Sequence, residues 1–325
     1  MFGDYRHSVG DHCGSASLRN LSRYYDWGLE EASCFGLGAG IGFEYGESET
    51  ASRLIMGRNP HLETTFFDTL GISIAEGDGQ SKETAWDALE KRLESGPVLC
   101  FVDLYYLPYF GSSTHFGPHT IVVLDVDNES VTISDSEFDE PQTVTRATFD
   151  DAWSSDHGFW PVERRWLAVE EPTPTVATET ATLAAVERAA TIMLDGDDES
   201  GSGGVATIRT FADDLPTWTR FDDLQWTARF AYQNIERRGT GGGAFRRLYA
   251  TFLDTLGTDA GLAPEFADRM RRIADDWTAL AGVLEAISEA DDGATRRDQL
   301  AEASDLAHDI ADREESLFSD LQAAV

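Results

Sequence analysis

Between residues 170 and 180 the chain reads EEPTPTVATET, and its texture changes across that stretch. A run this rich in proline and threonine can continue neither a helix nor a central strand, so it divides the chain into two folding problems. Before it, helical periodicity alternates with short apolar runs of strand length; after it, apolar residues recur almost everywhere at helical spacing. The expected organisation is an α+β domain with a mixed or antiparallel sheet over residues 1–170, a linker at 171–181, and an all-α domain over 182–325.

Several elements are legible. SKETAWDALEKRLESG (81–96) reads as an amphipathic helix with Ser81 as N-cap and Gly96 as terminator. PVLCFVDLYYL (97–107) has the length and composition of a buried strand. HTIVVLDVDNESVTISDSE (119–137) reads as a hairpin whose second strand ends at Asp135, and ERRWLAVEE (163–171) as one further strand. Beyond the linker, TATLAAVERAATIML, DDLQWTARFAYQNIERR, AFRRLYATFLDTLG, PEFADRMRRIADDWTALAGVLEAI and a segment over 295–321 all read as bundle helices, with a loop at 195–204. The glycine-rich GLGAGIGFEYGE (36–47) follows no apolar strand and lacks the distant acidic residue of a dinucleotide site, so it does not read as one.

The charge narrows the choice of partners. Acidic residues number 59 against 25 basic ones, a formal net charge of −34, and Lys82 and Lys91 are the only lysines. No basic stripe exists to neutralise phosphates, which excludes nucleic acid, and the same charge disfavours anionic lipid. No apolar run reaches the roughly 20 residues that span a bilayer, and MFGDYRHSVGDHC lacks the marks of a secretory signal. A soluble, cytoplasmic protein is expected. Self-repulsion of this size is relieved at molar salt, where the Debye length falls to about 3 Å, so acid excess with scarce lysine points to a salt-loving host such as a haloarchaeon.

Three cysteines, without a CxxC pair, exclude a disulfide framework and a four-thiolate zinc site. Cys34 and Cys100 lie in apolar runs and read as core. Cys13, in HSVGDHCGSASLRNL, has titratable neighbours and precedes the helical spacing Leu18, Leu21, Tyr24, Tyr25, which places it at a helix N-terminus. There the dipole and unbonded N–H groups favour a thiolate. His119 begins one strand of the hairpin and Asp135 ends the other, so both sit at its open end, and strands about 4.8 Å apart could bring carboxylate and imidazole together. Cys13, His119 and Asp135 are thus a candidate triad. The residues alone leave open a small buried cysteine, or a metal site from His7, His12, Cys13, His115 and His119, although the one pair four residues apart, His115 and His119, leads into a strand and not along a zinc protease helix.

DHCGSASLRNL, CFGLGAGIGFEY and VDLYYLPYFGSSTHFGPHTIVVLDVDNESVTISDSE together resemble the N-terminal domain of the butirosin-biosynthesis H protein family, itself similar to papain-like cysteine enzymes. IERRGTGGGAFRRLYATFLDTLG and IADDWTALAGVLEAI resemble the helical domain that follows in that family. The resemblance implies a papain-like fold and an acyltransferase that takes an acyl group from an acyl carrier protein or acyl-CoA to a small amine acceptor, with no resident cofactor or metal. By position, Cys13 would be the nucleophile, His119 the base and Asp135 its orienter. His7 would stand where papain-like enzymes carry an oxyanion-hole glutamine, and His12 would line the pocket, as could His115 and Asp103, for which a structural role stays equally open. Gly241, Gly242 and Gly243 opening a helix, with Arg246 and Arg247, could cradle a phosphopantetheine phosphate or form only a helix connection. The other implied readings are a papain-like peptidase or amidohydrolase, and a non-catalytic protein that binds a carrier or peptide.

Overall fold

Residues 3–48, 50–157, 161–196 and 203–325 are described by the computed structural model. In chain order the first elements are α1 (Cys13–Tyr24), α2 (Glu31–Leu37), β1 (Ile41–Gly46), β2 (Leu54–Arg58), α3 (Leu62–Leu70), β3 (Ser73–Gly77) and α4 (Lys82–Leu93). There follow β4 (Val98–Val102), β5 (His119–Val126), β6 (Ser130–Ser134), β7 (Gln142–Thr145), α5 (Arg146–Trp153) and β8 (Trp166–Glu171). The remainder is helical: α6 (Thr178–Asp195), α7 (Gly204–Asp214), α8 (Leu224–Glu236), α9 (Arg246–Phe252), α10 (Glu265–Glu289) and α11 (Gly293–Ala324). The fold class is α+β with antiparallel pairing, followed by helices, as the sequence texture implies. Most of the loop expected at 195–204 lies outside the described residues.

The contacts divide the chain into two units, residues 1–34 with 70–175, and residues 35–69 with 176–325. In the first unit a sheet runs in the order β3-β8-β4-β5-β6-β7, every described pair antiparallel. Alternate residues of its central strands, Val98, Cys100 and Val102 with Ile121 and Val123, pack against Ala85, Trp86 and Leu89 of α4 and Phe149 and Trp153 of α5. α1 packs on β5, where the Ser17 hydroxyl donates to Thr120 O at 3.4 Å. Ser81 caps α4 as expected, its Oγ accepting from Thr84 N–H. The strand expected over 97–107 ends earlier, at Val102, because Asp103 caps a tight turn over Leu104–Tyr106 with its own carboxylate.

The second unit departs from the expected division at residue 170. Phe35–Thr69 packs with the helices: β1 lies against α6 and α7, and β2 against α8. Sequence texture conceals this, because a two-stranded ribbon inserted among helices looks like any other strand pair. The same packing explains the glycine-rich stretch. A Cβ at Gly36 would fall 2.0 Å from the Phe252 ring, and one at Gly42 would fall 2.9 Å from the backbone of Arg58, so close approach requires these glycines. The linker is also shorter than 171–181, since β8 runs to Glu171 and α6 begins at Thr178.

At the centre of this unit Arg246 is fully buried. It forms a two-pronged pair with Glu314, Nε–Oε1 at 2.8 Å and Nη2–Oε2 at 2.9 Å, and its Nη1 donates to the carbonyls of Gly42, Gly57 and Ala244. Trp277 Nε1–H adds a bond to Glu314 at 2.7 Å. With these donors spent, the buried charges are compensated, and removing one partner strands the other. Glu314→Ala is therefore expected to cost about 3–5 kcal/mol, read as a lowered denaturant midpoint. A loss below about 1 kcal/mol would mean that the pair is not buried as described.

Candidate active site

Cys13 is the first residue of α1, and its backbone N–H therefore has no intrahelical acceptor. His12 is the N-cap: its extended backbone turns the chain into the helix, and its Nδ1 accepts from Ser15 N–H at 3.2 Å. Because that nitrogen accepts, the neutral His12 ring carries its proton on Nε2. Cys13 is partly exposed, whereas Cys34 and Cys100 are wholly buried, as their apolar settings predict.

The hairpin brings His119 and Asp135 together. Val122 faces Ser134 in the β5–β6 ladder, so Asp135 lies one residue past the paired strand, diagonal to His119 and within side-chain reach. His119 Nε2 is 3.1 Å from each oxygen of the Asp135 carboxylate, and both residues are buried. The other nitrogen, Nδ1, is the one left for Cys13. Tyr109 Oη–H donates to Asp135 Oδ2 at 3.1 Å and Glu137 N–H to Oδ1 at 3.2 Å, so the carboxylate is fixed from three sides. Phe110 packs edge-on to the His119 ring at 5.3 Å, and Phe138 closes on Tyr109 and Phe110 at 4.9 and 5.0 Å.

Three ionisable groups are thereby coupled. Burial alone would push the Cys13 thiol up, but the charge and hydrogen bond of His119, with the hydrogen bond of His12, hold it well below the usual thiol range. Burial would lower His119, yet Asp135 first and then Cys13 raise it well above the ordinary imidazole value. Burial likewise opposes ionisation of Asp135, and His119, Glu137 N–H and Tyr109 outweigh it. Both directions favour the ionised pair, thiolate with imidazolium, over the neutral one.

Residues that sequence reading passed over hold the segment before Cys13. Glu31 Oε1 accepts from the N–H groups of Asp11 and His12 at 2.9 and 2.8 Å. Arg19 bridges Glu31 to the carbonyls of Ser8 and Val9, and Asn20 adds a bond to Ser8 O. These residues sit in LRN and EEAS, where only the periodicity of the first helix was readable. Gly10 N–H also donates to Ser136 O, tying this segment to the end of the hairpin.

The expectation for His7 is corrected. Its Nε2 faces Phe138 O at 2.7 Å, so that nitrogen must donate, and its Nδ1 meets the Ser134 hydroxyl at 2.7 Å. The neutral ring has one N–H, already spent, and cannot serve an oxyanion. His7 instead splints the N-terminal segment to the residues around Asp135. Of the histidines proposed for the pocket, His12 contacts Cys13, whereas His115 forms a separate pair with buried Asp103, Nδ1 to Oδ2 at 2.6 Å.

Residues 12–136 match the family Butirosin biosynthesis protein H, N-terminal, and residues 147–321 match the domain of unknown function DUF4872. The chain belongs to the DUF4872 family and carries, over residues 12–136, the N-terminal domain of the butirosin biosynthesis protein H family. No curated protein matches it.

Of the two readings of the glycine and arginine stretch, phosphate cradle or helix connection, the contacts in the helical unit favour the connection. Gly242 N–H donates to Thr240 Oγ1 and Gly243 N–H to Glu236 Oε1, so both donors face inward. Arg246 is the buried partner of Glu314, and Arg247 pairs with Asp275 at 3.1 Å. Gly241, Gly242 and Gly243 all have positive φ, followed by Ala244 and Phe245, and a Cβ on Gly243 would fall 2.7 Å from Ala274 O. The glycines serve a left-handed backbone run between helices. Among the described residues, no group of three or more His, Cys, Asp or Glu could hold a metal ion, and no helix is long and apolar enough to cross a membrane.

The lowered thiol fixes the sign of a pH experiment. Thiolate, and so alkylation of Cys13 by iodoacetamide, persists as pH falls and is lost only through the lowered folded value. His119→Gln removes the cation while burial remains, so its midpoint is expected to rise into or above the ordinary thiol range near 8.5. An unchanged midpoint would mean that His119 does not hold the thiolate.

Proposed function

We propose that the chain is a cysteine-dependent acyltransferase in which Cys13 carries the acyl group as a thioester. The observation that carries this reading is the partly exposed Cys13 at the start of α1, bonded to His119, whose ring is fixed by buried Asp135. Family membership supports it, since the name-giving protein belongs to a biosynthetic route. The papain-like order of cysteine, histidine and aspartate supports it as well. An acyl carrier protein or acyl-CoA is the proposed donor and a small amine the acceptor.

In the first half-reaction the Cys13 thiolate attacks the carbonyl carbon of the donor thioester. The carbonyl oxygen takes negative charge and is met by the Cys13 backbone N–H, with His12 rather than His7 as the imidazole donor beside it. Collapse breaks the bond from carbon to the donor sulfur, which leaves with the proton of His119. In the second, the amine nitrogen attacks the acyl carbon, the bond to Cys13 Sγ breaks, and the amine proton passes to His119. The thiolate–imidazolium pair is restored. Asp135 holds the ring tautomer throughout and stays ionised. Glu137, an exposed carboxylate two residues beyond Asp135, feels both Cys13 and His119 and offers a cationic acceptor a counter-charge.

Incubation with acyl-CoA or an acyl-carrier thioester is expected to add one acyl mass to Cys13, with no adduct on Cys13→Ala, and a neutral amine should discharge it as an amide. His119→Ala should slow adduct formation by about 10²–10⁴. Peptide cleavage without acyl transfer would replace this reading with a peptidase, and absence of any adduct would remove it.

A further inference from the structure

Asp103 takes no part in the bonds around Cys13, yet it is fully buried and both of its oxygens are occupied. Oδ1 accepts from Tyr105 N–H and Phe116 N–H, each at 3.0 Å, and Oδ2 from His115 Nδ1 at 2.6 Å and the Ser155 hydroxyl at 2.8 Å. Burial pushes this carboxyl up, but those four donors outweigh it and hold it below the usual range. The donors come from both ends of one connection, residues 103–118, and from the segment after α5.

That connection carries the catalytic base into place. It joins β4, ending at Val102, to β5, beginning at His119, and exceeds the roughly 12–15 residues above which irregular loops become uncommon. A loop of that length has many closed conformations, so the position of His119 must be fixed by contacts rather than by chain length. Asp103 supplies them at both ends. Leu104 N–H to Phe116 O at 3.0 Å completes the closure, and Gly117 lies so near that a Cβ there would fall 3.5 Å from Asp103 Cα. Phe116 is three residues from His119, at most about 11 Å of chain. On the sheet side, Val102 is the ladder partner of His119.

We propose that Asp103 is a positioning residue that, through His115 and Phe116, locks the 103–118 connection so that His119 meets Cys13. It rests on the reading of Cys13 and His119 as the reactive pair. Asp135 orients the ring, and Asp103 sets where the backbone under that ring lies. His115 is a strut in this device: its ring sits between Tyr105 at 4.1 Å and His157 at 4.2 Å, and its Nδ1–H is the donor that Asp103 holds.

The test is the pH midpoint of Cys13 alkylation by iodoacetamide, with thermal unfolding measured on the same samples. Asp103→Asn sets an amide NH2 against two donors. His115→Phe keeps the ring stack and removes the donor, and His115→Asn returns an N–H near the Nδ1 position. The expected result is a midpoint raised by about one unit or more in Asp103→Asn and His115→Phe, with His115→Asn close to the wild type. Lowered thermal stability with an unmoved midpoint would show a purely structural role and overturn the proposal. Should Asp103→Asn fail to fold, His115→Phe decides, since it leaves the carboxylate three of its donors. A wild-type midpoint in the ordinary thiol range would overturn the Cys13–His119 reading and this inference with it, which separates that failure from one confined to Asp103.

Discussion

A thiolate and an imidazolium cannot stay ionised in a partly buried site unless each pays for the other's desolvation and a third charge holds the balance. Asp135 is that third charge, and much of the first unit is arranged to keep it so. The β5–β6 register brings it diagonal to His119, Tyr109 and Glu137 N–H saturate it, and Phe110 and Phe138 pack beside the imidazole. On the other side, α1 offers its first N–H groups, and the Arg19–Glu31 pair at 3.2 Å fixes the strand of chain that leads into it. Local structure and electrostatics thus converge on one sulfur.

The helical unit uses the same logic for a different end. Arg246 and Glu314 are as deeply buried as Asp135, but their partners are one another, Trp277 Nε1–H and backbone carbonyls. The pair fixes the packing of α9, α10 and α11 around Trp277 and the β1–β2 ribbon. Buried charge is common to the two units; what distinguishes the first is a partly exposed thiol beside it.

Much of the candidate site is legible in the sequence because local rules determine it. A cysteine ahead of a helical stripe must lie near a helix start, and a histidine and an aspartate at the open end of one hairpin must be neighbours. The readings that fail depend on contacts far apart in sequence. His7 looks like an oxyanion donor until Phe138 and Ser134 are seen to take both its nitrogens. Arg246 looks like a phosphate ligand until Glu314 is found 68 residues away. Residues 35–69 have the texture of the first unit and the partners of the second. Arg19, Asn20 and Glu31 carry no motif at all, since their role is defined by the carbonyls and N–H groups they reach.

The central claim is that Cys13 is ionised while His119 is protonated, and it is tested most directly by the thiolate itself. Ultraviolet difference absorbance between the wild type and Cys13→Ser, followed from acid to alkaline pH, counts that thiolate without any reagent. The account predicts one thiolate already present at neutral pH and lost only as pH falls well below the ordinary thiol range. A thiolate that appears only in the alkaline range would contradict it.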